Sequence, residues 1–136
     1  MLEHVSDLDR VASEISRSLN PKGVFLFDTI NRTRTSKLLA IKVMQEWRYT
    51  QIIDAAIHDW QMFIKPEELA ATMGSHGLHV QDVVGLAPRA NPPKVLLDFI
   101  RTNRGSISYG ELSRRLNIGQ VGNTRTSYMG FATKWA

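Results

Sequence analysis

The segment Val24-Phe25-Leu26-Phe27-Asp28-Thr29-Ile30 constrains the fold of this chain more than any other stretch. It is nearly all apolar, rich in β-branched and aromatic residues, and too short for a buried helix. A strand apolar on both faces is expected in the middle of a parallel sheet with helices on each side. Ahead of it, Leu8, Val11, Ala12, Ile15 and Leu19 recur at helical spacing and predict a helix from about Asp7 to Leu19 with one buried face. Ser6 is its expected cap, with Asp7 and Asp9 at the positive end of the dipole, and Asn20-Pro21-Lys22-Gly23 stops it. Helix, short turn and buried strand make half of a βαβ unit, so the fold class is α/β.

A buried parallel strand needs parallel neighbours, and each neighbour costs a crossover. No other segment has that character. Leu78 to Ala87 alternates in part, through Val80, Val83, Val84 and Leu86, as an edge or antiparallel strand does, and Ser127 to Trp135 is a third candidate. The companions of the first strand are therefore expected upstream of Met1, which makes the chain the carboxy-terminal half of a larger α/β domain. Helices are expected over Arg34 to Ile53, from Lys65-Pro66 to near Gly77, from Pro92-Pro93 onward, and over Ser108 to Leu116.

Composition narrows the setting. At 136 residues, 43% hydrophobic and 22% charged, the chain has the size and balance of one globular domain. No run approaches the roughly 18 apolar residues of a membrane span, and the amino terminus does not read as a signal peptide. Cysteine is absent, which excludes disulfides, thiolate zinc sites and cysteine nucleophiles. A cytoplasmic location is expected. Seventeen Lys and Arg against 13 Asp and Glu permit contact with phospholipid or nucleic acid and select neither.

Several motifs then fall in order: Leu2-Glu3-His4-Val5, Leu19-Asn20-Pro21-Lys22-Gly23, Phe27-Asp28-Thr29-Ile30-Asn31-Arg32, His58-Asp59-Trp60, Phe63-Ile64-Lys65-Pro66-Glu67-Glu68-Leu69, Gly77-Leu78, Val83-Val84-Gly85-Leu86 and Ser127-Tyr128-Met129-Gly130. This series resembles the second half of class I S-adenosylmethionine-dependent methyltransferases, and within them the ubiquinone-biosynthesis O-methyltransferases. The resemblance implies the carboxy-terminal half of a Rossmann-like sheet with added helices. It divides the chain into a core half over 1–87, a helical insert over 88–125 and a final strand over 126–136. It further implies O-methylation of a phenolic, polyprenyl quinol-type acceptor with S-adenosylmethionine as donor. In such enzymes a glycine-rich turn and a ribose-binding acid, both in the first half, hold the donor. No glycine here lies between a strand and a helix in that order, so no cofactor-binding residue is expected and the chain alone is expected to be inactive.

The same resemblance assigns site residues. Glu3 and His4 match the end of a glutamate-x-x-glutamate-histidine motif that binds a divalent metal such as magnesium beside the phenolic oxygens. Read without the resemblance, an adjacent Glu-His pair is an ordinary solvated turn. His58 is a candidate catalytic base with Asp59 orienting it; the plainer account is a loop in which Trp60 packs. Asn31, at the carboxyl end of the first strand, and Trp60 are candidates for substrate contact. His76 and His79 read as structural. Lys37, Lys42 and Trp47, beside the stripe of Leu39, Val43 and Met44, suit peripheral contact with an anionic membrane, where a polyprenyl substrate would reside. The alternative is an ordinary lid over the sheet.

A competing function comes from Ile107 to Gly119, which resembles the first helix and turn of a helix-turn-helix. Arg101, Arg104, Arg114, Arg115 and Arg125 could meet phosphate there. Gln120-Val121-Gly122-Asn123-Thr124 is too glycine-rich for a recognition helix, so sequence-specific nucleic-acid binding is not expected.

Overall fold

The computed structural model describes residues 1–135. Four strands, β1 (Val24–Ile30), β2 (Leu78–Pro88), β3 (Ile118–Val121) and β4 (Ser127–Lys134), form one sheet in the order β1-β4-β2-β3, and every neighbouring pair is antiparallel. The helices are α1 (Leu8–Ser18), α2 (an α-helical turn at Arg34–Ser36 continuing as a π-helix over Lys37–Glu46), α3 (Pro66–Ser75), α4 (Pro92–Asn103) and α5 (Tyr109–Leu116). Single 3-10 turns occur at Leu2–His4 and Trp60–Met62. The class is mixed α/β, as the sequence indicates.

The expected environment of β1 is corrected. It stands at one edge of the described sheet, antiparallel to β4, and only one of its faces is covered. Phe27 and Thr29 are buried, whereas Val24 and Leu26 are 54% and 72% exposed. Residue type could not reveal this, because both faces are written in apolar residues. Beneath the covered face, Leu8, Val11 and Ile15 of α1, Leu19 just after it, and Leu69 and Met73 of α3 pack against Phe27, Leu78, Tyr128 and Ala132. Tyr128 is fully buried and donates its hydroxyl to the Ile64 carbonyl at 2.9 Å, which satisfies the one polar atom of a ring inside the core.

Helix ends follow local chemistry. Asp7, not Ser6, caps α1 by accepting from the Arg10 amide at 2.9 Å. Thr33 and Ser36 cap α2 reciprocally, and the Trp47 amide reaches back five residues to the Lys42 carbonyl. The helix stops at Glu46 and does not run to Ile53: Trp47 turns extended, and the Thr50 hydroxyl donates to the freed Val43 carbonyl at 2.6 Å. Pro66 opens α3 where its missing amide costs nothing.

A second core joins α2, α4 and α5 through Val43, Val95, Phe99, Leu112 and Leu116. The 88–125 segment is therefore helical only in part, because it also contributes β3, which pairs with the Gly85–Pro88 end of β2. A side chain at Gly85 would collide with the Asn123 main chain crossing there. The helix-turn-helix expectation is corrected too: Asn117 takes a left-handed conformation (φ 48°), and the chain leaves it as the strand β3 instead of a recognition helix. Arg115 of α5 pairs with the buried Asp98 of α4 and so ties the two helices together, while Arg101–Asp98 and Arg114–Glu111 are pairs within α4 and within α5. The expected final strand ends at Lys134; its last position, Ala136, lies outside the described residues. No helix among the described residues is long and apolar enough to cross a membrane.

Candidate functional site

The carboxyl end of β1 gathers the polar groups. The turn Leu2–His4 packs beside the strand because Leu2 enters the main core, and this delivers Glu3 to Thr29. The Thr29 hydroxyl donates to Glu3 Oε2 at 2.9 Å, and the amino-terminal ammonium donates to the same oxygen at 2.6 Å. The Glu3 side chain is only 9% exposed. Burial works to raise its pKa, but the ammonium, its own backbone amide and the Thr29 hydroxyl outweigh that and hold the carboxylate below its ordinary range. The other oxygen, Oε1, lies 3.6 Å from His4 Nε2.

The third member of this group is His58. Its ring stacks on that of His4 with centroids 5.3 Å apart and meets Phe63 edge-on at 6.0 Å. Ligand atoms of Glu3, His4 and His58 all lie within 4.8 Å of one another. The loop carrying His58 is held from α2: the buried Gln45 accepts from the His58 amide at 2.9 Å and donates to the His58 carbonyl at 3.1 Å. Burial, then the neighbouring His4, lower the His58 pKa, with Glu3 opposing, so the ring is neutral at pH 7. Its Nδ1 is buried without a partner. Asp59 does not orient it; that carboxylate accepts from the Gln61 amide at 2.9 Å and caps the turn Trp60–Met62. The candidate His58–Asp59 pair is therefore not assembled, because the Asp59 carboxylate is spent on the Gln61 amide.

Asn31 is 6% exposed at the end of β1. Its amide nitrogen donates to the Thr124 carbonyl at 2.7 Å, and its Oδ1 is buried with no partner. Trp60 packs with Ile30, Ala40, Ile41 and Phe63 and donates to the Thr33 carbonyl at 2.9 Å, as the plainer account has it. His76 pairs with Asp9 and His79 stacks on Trp135.

On the other side of α2, Lys37 lies over the Trp60 ring at 4.7 Å and Lys42 is paired with Glu46. Trp47 and Leu38 are about half exposed, at 47% and 52%. They border an apolar cavity of about 410 Å³ between α2 and α4, walled by Leu39, Val43, Val95 and Phe99. The sequence pointed to Glu3, His4 and His58 separately, but nothing in it signalled that His58 closes on the other two, or that Gln45 holds it there. Both walls of the cavity, the stripe of Leu39 and Val43 and the helix after Pro92, were visible in the sequence, but that they face each other was not.

A family profile described as a methyltransferase domain matches residues 1–83. The ubiquinone biosynthesis O-methyltransferase of Pseudomonas putida F1 is 41% identical over 86 residues, which are 63% of this chain and 36% of the relative. The corresponding Pseudomonas fluorescens Pf-5 protein is 40% identical over the same shares. The mitochondrial ubiquinone biosynthesis O-methyltransferase of Homo sapiens is 35% identical over 86 residues, 63% of this chain and 23% of that protein. The chain thus spans about a third of the length of the bacterial relatives it matches, and less of the human one.

Proposed function

Since the chain belongs to the methyltransferase-domain family, matched over residues 1–83, we propose that it forms the acceptor-binding half of an S-adenosylmethionine-dependent O-methyltransferase acting on a phenolic, polyprenyl quinol-type compound. The observation that carries this reading is the gathering of Glu3, His4 and His58 at the carboxyl end of β1.

The described residues do not suit the donor. The turns leaving β1 and β2 toward a helix, residues 31–33 and 89–91, contain no glycine, and no backbone cradle for the donor is formed there. They do suit a divalent cation: Glu3 and His4 offer a carboxylate and an imidazole, and a ring nitrogen of His58 lies within 4.8 Å of both. A bound cation would favour the phenolate form of the acceptor, the better nucleophile. Thr29 fixes the Glu3 carboxylate, Phe63 shields His58 on one side, and Asn31 Oδ1 supplies a free acceptor for a hydroxyl hydrogen. His58, neutral, can take up a phenolic proton or hold a cation. The cavity between α2 and α4 has room for an apolar tail. The exposed Trp47, with Lys37 and Lys42, supports a peripheral contact with anionic lipid from which such a tail would enter.

Tryptophan fluorescence and calorimetric titration of the full chain test this. A short-prenyl catechol with a divalent cation is expected to bind saturably, its dimethyl ether is not, and S-adenosylmethionine is expected to give no heat. Equal binding of catechol and ether, or of catechol to the wild type and to Glu3→Gln, would refute the acceptor role.

A further inference from the structure

We propose that His58 is a direct metal ligand, completing with Glu3 and His4 a site of two imidazoles and one carboxylate that prefers zinc, manganese or ferrous ions to magnesium. This rests on the proposed role of Glu3 and His4 in holding a divalent cation. Three independent features support it. The donor atoms of the three residues lie within 4.8 Å of one another although the chain between them is long. His58 Nδ1 is buried and has no hydrogen-bond partner, so a nitrogen that would ordinarily be satisfied is left free on a ring that belongs to this cluster. The ring is also held in place from both sides, by Phe63 and His4 against its faces and edge and by Gln45 on its main chain. A side chain that merely filled a loop would not need that fixation.

The competing assignment, a general base oriented by Asp59, loses its orienting group, since Asp59 is engaged with Gln61. Glu3 is equally prepared: Thr29 and the terminal ammonium occupy Oε2, which leaves Oε1 turned to His4 Nε2 at 3.6 Å. Ligand type then sets the choice of ion. Magnesium favours oxygen donors and retained water, whereas imidazole suits zinc and the later first-row metals. Two nitrogens of three ligands therefore move the site away from magnesium.

The experiment is calorimetric titration of the full chain with zinc, manganese and magnesium chlorides, in parallel with thermal unfolding and a cobalt(II) absorption spectrum. Wild type is expected to bind zinc roughly 100-fold more tightly than magnesium and to gain thermal stability from it. His58→Phe keeps a flat ring against Phe63 and is expected to weaken zinc binding on the order of tenfold or more and to change the cobalt spectrum, with metal-free unfolding close to wild type. Should that variant fail to fold, cobalt-induced shifts of the His58 ring protons in wild type report the same contact directly. Zinc binding that is unchanged in His58→Phe yet lost in Glu3→Gln removes His58 from the site and leaves the Glu3-His4 reading standing. Magnesium binding as tight as zinc overturns the preference, and no binding of any ion by wild type overturns both readings.

Discussion

Replacing Gln45 by methionine isolates the clamp that positions His58. The substitution conserves length and approximate volume, so the packing loss is small. It removes both ends of the amide that bind the His58 main chain, at 2.9 and 3.1 Å. Each such bond contributes about 1 kcal/mol net, and a buried polar group left without a partner costs about 1–3 kcal/mol. The His58 amide and carbonyl belong to a half-buried loop that water can partly reach, so the lower part of that range applies. We expect a loss of about 2 kcal/mol in urea unfolding. If the loop opens locally, the His58 amide should exchange with solvent roughly thirtyfold faster, since 1.4 kcal/mol is tenfold. Zinc affinity should fall alongside, because the ring is no longer held toward His4. A Gln45→Met protein within 0.5 kcal/mol of wild type, with unchanged exchange at His58, would refute the idea that this side chain places the loop.

Three further outcomes are expected. Gly85→Ala should lose about 2–3 kcal/mol in urea unfolding, because its methyl would overlap the Asn123 main chain and backbone cannot step aside cheaply. In chelator-treated buffer the pH dependence of stability should carry two signatures. The His58 pKa is lowered on folding, so stability present above about 6.5 is lost as pH falls from there through its folded value; the lowered Glu3 value adds a second loss as pH falls below about 4.5, and His58→Phe should remove only the first. Changing Lys37 and Lys42 together to Glu should abolish binding to anionic vesicles, since each cation near a charged surface contributes about 1 kcal/mol; equal sedimentation of both proteins with the vesicles would refute a lipid contact made through these two lysines.

The sequence was informative where one residue type has one physical use. Proline at the start of α3 and α4 and the apolar rhythm of α1 marked their elements directly. At β1 it marked the strand and missed the partner, because an apolar run does not say that β4 would pair with it antiparallel. It misled after Glu46, where the apolar stripe continues but a π-helix had already altered which residues share a face. The site was legible residue by residue and not as a constellation. Glu3-His4 and His58 are joined only through packing of Leu2 into one core and of α2 into another, and neither contact leaves a local pattern. The pairing of His58 with Asp59 illustrates the converse, since adjacency in sequence suggested a contact that the folded chain does not make.

The open side of β1 has a practical consequence for handling the protein. Toward its carboxyl end, the Ile30 carbonyl is taken by the Ile64 amide and the Asp28 carbonyl is approached by the terminal ammonium, but among the described residues no such partner meets Val24 or Leu26, whose side chains are also largely exposed. The strand itself holds no lysine or proline to deter another chain from adding to it. Solubility should therefore depend on concentration, with a slow loss of monomer above a threshold, and Leu26→Lys should postpone that loss without touching Phe27 or Thr29.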